Sequence, residues 1–403
     1  MIPAKPLEKK SDKFLNAFIY FGIFWYILIA VVNYLNARPL WNDEECVFFS
    51  VKSYTVRQMF GEPLLAIQVF PRLYLFFIQK FSSLFNFHVL ALRFLPFVCM
   101  MSAFFIWLKL ASYEIKNKLE YLTYVLSWTA SSMLLYYASE LKQYSMDVMA
   151  AALYLIFIYG QENLQKKLSR KFYYSLLIVL PFLGWFSYPS YLFAFIVLYN
   201  FMMAAQRDRR EKKSLFVFGS ALLIALGCSY FFDMRFRHQG EVTVGFGDYF
   251  ISFASVGEFF KTFGEGVNNL FSRWLVEHPR SIKAMGRFFM VFGIFHLFYA
   301  FFKNFKKEKY TFKSLNTIAM GLFVGLVILG AFKKYPFVVP RTALFYCPIV
   351  LFLTIKGIDA LKGIHKYVYG IVHALYLIFL VFLTVGLSRL AFTNQSLFLK
   401  IMS

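Results

Sequence analysis

Acidic residues are scarce in this 403-residue chain, where 21 Asp and Glu stand against 43 Lys and Arg and charged residues make up only 16%. A soluble domain carries about 25% charged residues. That thin supply of charge, beside 60% hydrophobic and 22% aromatic residues, excludes a soluble globular core. Cysteine is also sparse. Cys46, Cys99, Cys228 and Cys347 lack the spacing of a zinc site or a disulfide framework and read as small hydrophobes. His238, His278 and His296 fall in no motif. No repeat of fixed period and no low-complexity linker interrupts the chain, so residues 1–403 read as a single integral membrane domain.

What is present is a succession of apolar runs near the ~20 residues that span a bilayer. They place spans at 14–35, 88–108, 119–136, 143–160, 172–187, 190–206, 214–232, 285–302, 314–332, 342–355 and 368–390. This predicts an all-α polytopic membrane protein of about eleven spans. The first span is too long for a signal-peptide core and lacks a small-residue cleavage site, so it is expected to be retained.

The net charge of +22 would suit nucleic acid if it lay along one face. Instead it sits in short loops. With the N-terminus in the cytoplasm, the basic clusters Lys5 to Lys13, Lys116 and Lys118, Lys166 to Lys171, Arg207 to Lys213, Lys303 to Lys313 and Lys356 to Lys366 all fall inside, as the positive-inside rule requires. Membrane lipids, not nucleic acid, are the implied partner. Two long segments then face outward, 36–87 and 233–284. Both mix apolar, aromatic and charged residues without a spanning run, as interfacial helices do.

Chemistry is expected on that outer face. Trp41-Asn42-Asp43-Glu44-Glu45 puts three carboxylates together just after the first span. They read either as the acidic first turn of an interfacial helix or as acids whose basicity is tuned by the apolar boundary and by one another. Arg72, in Phe70-Pro71-Arg72-Leu73-Tyr74, Arg93 at the second span and Arg341 after Pro340 are placed to hold phosphate or simply to snorkel. Glu140, Lys142 and Tyr144 occupy the short turn Ser139-Glu140-Leu141-Lys142-Gln143-Tyr144, where a local ion pair is the simpler reading.

Taken in order, the carboxylates after the first span, Pro71-Arg72-Leu73-Tyr74, Leu92-Arg93-Phe94, Ser139 to Tyr144, Trp185-Phe186-Ser187-Tyr188-Pro189, and Pro340-Arg341 with Gly357 resemble membrane glycosyltransferases of the protein mannosyltransferase and aminoarabinose transferase type. The resemblance covers most of the chain. Departures are visible: Glu45 stands where the family has a small residue, Phe70-Pro71-Arg72 where His-Pro-Pro or Lys-Pro-Pro is common, and Lys142 where arginine is usual.

The resemblance implies the C-type glycosyltransferase fold, a polyprenyl-phosphate sugar as donor, and inversion at the anomeric carbon. Asp43 would be the general base, and Lys142 and Arg341, then Arg72 and Arg93, would hold the leaving phosphate. Glu44 and Glu140 would orient the base, bind sugar hydroxyls or share a divalent ion; no metal or other cofactor is assigned. The segment 233–284 would cover the site and help select an acceptor, which could be protein, lipid or glycan. The expected location is the periplasmic side of a bacterial inner membrane, which the basic loops and the high Phe, Ile and Lys content favour, with the lumenal face of the endoplasmic reticulum as the alternative. The competing expectation is a polytopic transporter, or a flippase or polymerase of lipid-linked glycans; a transporter should carry mid-depth charges and two similar halves.

Overall fold

The computed structural model of the protein describes residues 10–236, 247–272 and 280–393. Lys5, Lys9, His238, His278 and the tail from 394 lie outside the described residues. Among the described residues there is helix and no strand. The helices are α1 Lys10–Leu35, α2 Asn42–Ser53, α3 Val56–Gly61, α4 Arg72–Ser83, α5 Val89–Glu114, α6 Lys118–Thr129, α7 Ser132–Tyr137 and α8 Tyr144–Lys167. They continue as α9 Arg170–Val179, α10 Ser190–Ala205, α11 Arg209–Phe232, α12 Val256–Ser272, α13 Arg280–Lys307, α14 Leu315–Ala331, α15 Cys347–Ala360 and α16 Lys366–Phe392.

Among the described residues six segments, Lys13–Leu35, Val89–Glu114, Glu211–Phe236, Ala284–Lys307, Arg341–Gly363 and Lys366–Phe392, are long and apolar enough to cross a membrane, compatible with an integral membrane protein. The apolar helices α10 and α14 are shorter, at 16 and 17 residues. Some predicted spans are broken by local chemistry. The run 119–136 divides at Ser131, whose hydroxyl accepts from the Leu134 amide and so starts α7 afresh. The run 172–187 leaves α-geometry after Val179 and continues as a 3-10 turn through Pro181, where the missing amide cannot carry the helix on. The run 342–355 opens as a 3-10 turn, Pro340–Tyr346, before α15.

The core is organised around α15, which is buried almost throughout from Cys347 to Ile358. It packs on α13, α6, α14 and α16. Against α13 the backbones approach closely: a Cβ on Gly357 would lie 2.1 Å from the Phe292 carbonyl oxygen, and one on Gly293 would lie 2.9 Å from the Thr354 hydroxyl. Small residues at a helix crossing permit that approach. The outer ring, by contrast, exposes Phe216, Leu223, Phe295, Ile378 and Phe382, an apolar surface too extensive for water.

Hydrogen bonds between loops sort the two ends of the bundle. At one end the basic connections meet one another: Lys362 reaches Glu120, Gln165 reaches Glu211, and Arg207 donates to the Lys309 carbonyl. At the other end lie α2, α3 and α4, the turn 138–143, the 187–190 turn and the loop before Arg341. Here α4 and α12 are strongly amphipathic. The exposed Phe77, Leu84, Phe253 and Phe260 fit helices resting in an interface.

Candidate active site

Successive residues of a helix point about 100° apart, so the three carboxylates that open α2 fan out to different partners. Trp41 is the cap residue, and Asp43, Glu44 and Glu45 form the first turn, where acids complement the helix dipole. Glu45 faces outward. Glu44 turns inward and is completely buried.

Five donors hold Glu44, the Trp41 amide of the helix cap among them at 3.5 Å. Arg93 gives it Nε at 2.9 Å and Nη2 at 2.5 Å, Arg38 gives Nη1 at 3.0 Å, and the Leu141 amide donates at 2.7 Å. Arg93 also donates to the carbonyls of Arg38 and Pro39. This bidentate pair ties α2 to α5 and to the turn that carries Glu140 and Lys142. With its carboxylate fully engaged, Glu44 positions its neighbours, and Arg93 is committed to it. The role of Arg38 was not legible in sequence beyond its being one more arginine at the end of α1.

Asp43 points the other way, with about a quarter of its side chain accessible (23%). Its Oδ2 lies 3.1 Å from Arg341 Nη1 and 3.4 Å from Lys142 Nζ. Lys142 is 6% exposed and Arg341 26%, so the cluster has a buried wall and an accessible rim. Lys142 also donates to Gln68 Oε1 at 2.8 Å. Burial pulls the Lys142 amine below its ordinary value, and Asp43 opposes that shift. Gln68 follows a 3-10 turn in which Ala66 adopts φ 53°, a left-handed conformation costing an L-residue roughly 1–2 kcal/mol.

Arg341 is fixed from behind. Tyr335 donates its hydroxyl to the Thr342 carbonyl, and the Thr342 hydroxyl donates to the carbonyls of Pro336 and Val339. The second outer segment joins this support. Asn269 of α12 donates to the Val338 carbonyl at 2.6 Å, and Gly266 lies so close to Phe337 that a Cβ there would meet the ring at 2.2 Å. What the segment 233–284 does in the described residues, then, is brace the loop that carries Arg341.

Glu140 is buried beside the cluster. Its Oε1 accepts from the Trp41 indole at 3.0 Å, while Oε2 is buried without a hydrogen-bond partner. Burial, reinforced by the Glu44 charge, pushes its carboxyl up to about 8. Tyr144 is buried edge-on against Tyr137, with ring centroids 4.9 Å apart.

Arg72 belongs to a different contact. Its Nε lies 3.3 Å from Asp233 Oδ1, its Nη1 donates to the Met59 carbonyl, and Asp233 also accepts from the Tyr188 hydroxyl at 2.5 Å. This buried group pins α4 to the end of α11 and to the 187–190 turn. The structure thus brings Asp43, Lys142 and Arg341 together, sets Glu140 and Tyr144 next to them, and engages Glu44, Arg93 and Arg72 in contacts between helices.

No group of three His, Cys, Asp or Glu side chains among the described residues is arranged to hold a metal ion. Chemically, the site is a partly accessible carboxylate between two cations, one buried and one at the rim. Both ion pairs fall on Oδ2. Compared with protein families, curated proteins and solved structures, the chain matches none.

Proposed function

We propose that this chain is a membrane glycosyltransferase of the C-type fold, with about eleven crossings, that moves a sugar from a polyprenyl-phosphate donor to an acceptor hydroxyl on the periplasmic side of a bacterial inner membrane. The observation that carries this reading is the convergence of Lys142 and Arg341 on Asp43 at the end of the bundle opposite the basic loops. That end is ringed by amphipathic helices, which suits a substrate whose tail stays in lipid.

In the reaction, Asp43 takes the proton from the acceptor hydroxyl as its oxygen attacks the anomeric carbon. The bond from that carbon to the phosphate oxygen breaks, the electron pair leaves with the phosphate, and the configuration inverts. Lys142 and Arg341 stabilise the charge that builds on the leaving phosphate, a gain larger in the transition state than in the ground state.

A panel of radiolabelled polyprenyl-phosphate sugars, offered with lipid and glycan acceptors to the full chain in nanodiscs, tests the proposal. It predicts turnover of one donor with inverted product. A chain that binds none of these lipids but moves solutes across a vesicle membrane would favour the transporter reading instead.

A further inference from the structure

Lysine carries a compact charge on a flexible four-carbon stem, so a lysine that serves one position needs something to hold its tip. The base of the Lys142 stem is fixed through its own turn, where the Leu141 amide donates to Glu44 and the Lys142 amide donates to the Glu140 carbonyl at 2.8 Å. The tip is held from a different segment. Gln68 Oε1 accepts from Lys142 Nζ at 2.8 Å, a shorter contact than the 3.4 Å between Nζ and Asp43 Oδ2.

The loop that presents Gln68 is anchored on both sides. The far end of α2, whose first turn carries Asp43, grips it twice: the Leu65 amide donates to the buried Ser50 hydroxyl at 3.0 Å, and the Tyr54 hydroxyl at the C-cap donates to the Pro63 carbonyl at 2.6 Å. On the other side the buried Phe70 stacks on Tyr74, with ring centroids 5.8 Å apart. Between these anchors Ala66 is held at its left-handed φ of 53°. Strained backbone of this kind gathers at active sites and ligand clamps. The Gln68 amide nitrogen donates back to the Ala66 carbonyl at 3.4 Å, which turns the amide oxygen toward Lys142. Both acceptors beside the ammonium, Asp43 and Gln68, are therefore set by α2.

The choice of a neutral amide has a chemical consequence. An amide oxygen accepts a hydrogen bond from the ammonium and leaves its charge uncancelled, whereas a second carboxylate in that place would neutralise it. We propose that Gln68 is a positioning residue for the transfer, holding the Lys142 ammonium where the phosphate of the donor departs. This role rests on the glycosyltransferase reading and adds to it the side chain that aims the buried cation.

A double-mutant cycle between Gln68→Ala and Lys142→Ala tests it, read as single-turnover sugar transfer by the full chain in nanodiscs at saturating polyprenyl-phosphate sugar. Gln68→Ala should slow transfer about tenfold, the worth of a hydrogen bond to a charged group, and should slow it no further once Lys142 is already alanine. Gln68→Glu keeps the length and an acceptor oxygen but adds a charge, and should transfer no faster than Gln68→Ala. A loop that needed only the shape of residue 68 would be rescued by Glu. Equal slowing by Gln68→Ala in both backgrounds overturns the positioning role alone, as does a wild-type rate from Gln68→Glu, which decides the matter if Gln68→Ala does not fold. Wild type that transfers sugar from none of these donors overturns the transferase reading and this role with it.

Discussion

Asp43 and Arg341 stand 298 positions apart in the chain and meet at 3.1 Å, with Lys142 on the same carboxylate oxygen. Truncating either cation should therefore act on turnover more than on folding. Lys142→Ala is expected to reduce kcat roughly 10²-fold, the scale of losing one donor to a developing anion. Arg341→Ala should follow the same pattern, and single-turnover kinetics at saturating donor check both. Unchanged kcat would remove these cations from the chemistry.

The Glu44 and Arg93 pair should behave in the opposite way. Replacing Arg93 by Ala leaves a fully buried carboxylate short of its bidentate partner; breaking such a pair costs about 3–5 kcal/mol. We expect Arg93→Ala and Glu44→Gln to lower the midpoint of thermal unfolding by several degrees, measured by intrinsic fluorescence in detergent. Full stability with selective loss of donor binding would show that these residues touch substrate.

Much of this division of labour was hidden in the sequence. Apolar runs marked the helices because a bilayer-facing or bundle-facing helix needs uninterrupted apolar length, and the basic loops marked one end. Asp43, Lys142 and Arg341 stood out as charges beside apolar boundaries. What the three adjacent acids could not reveal was their divergence. That follows from the helical rotation of α2 together with the positions of Arg38 and Arg93, which only tertiary packing sets. The breaks at Ser131 and Pro181 were similarly masked by continuous hydrophobicity.

Glu140 makes stability depend on pH. Its folded-state value of about 8 lies above the ordinary carboxylate range, so the neutral acid is the form that folding favours. The resulting stability is complete below that ordinary range and is lost as pH rises through about 8. Unfolding midpoints between mildly acidic and mildly alkaline pH should fall for wild type, and less steeply for Glu140→Gln, which is permanently neutral. Parallel slopes would remove Glu140 as the source.

Gly357 should tolerate no side chain. A methyl group there would meet the Phe292 carbonyl at 2.1 Å, forcing α13 away from α15. Overpacking of this kind costs about 1–3 kcal/mol, so Gly357→Ala should unfold at lower temperature than wild type. An unchanged midpoint would mean that the two helices separate without penalty.

The most direct test of the central claim is Asp43→Asn, which keeps the size and polarity of the side chain and removes its ability to accept the acceptor proton. Donor binding and sugar transfer should be measured on the same nanodisc preparation as wild type. The account predicts donor affinity within a few-fold of wild type and transfer reduced by about 10³-fold, the usual worth of a general base. Transfer at the wild-type rate would contradict it.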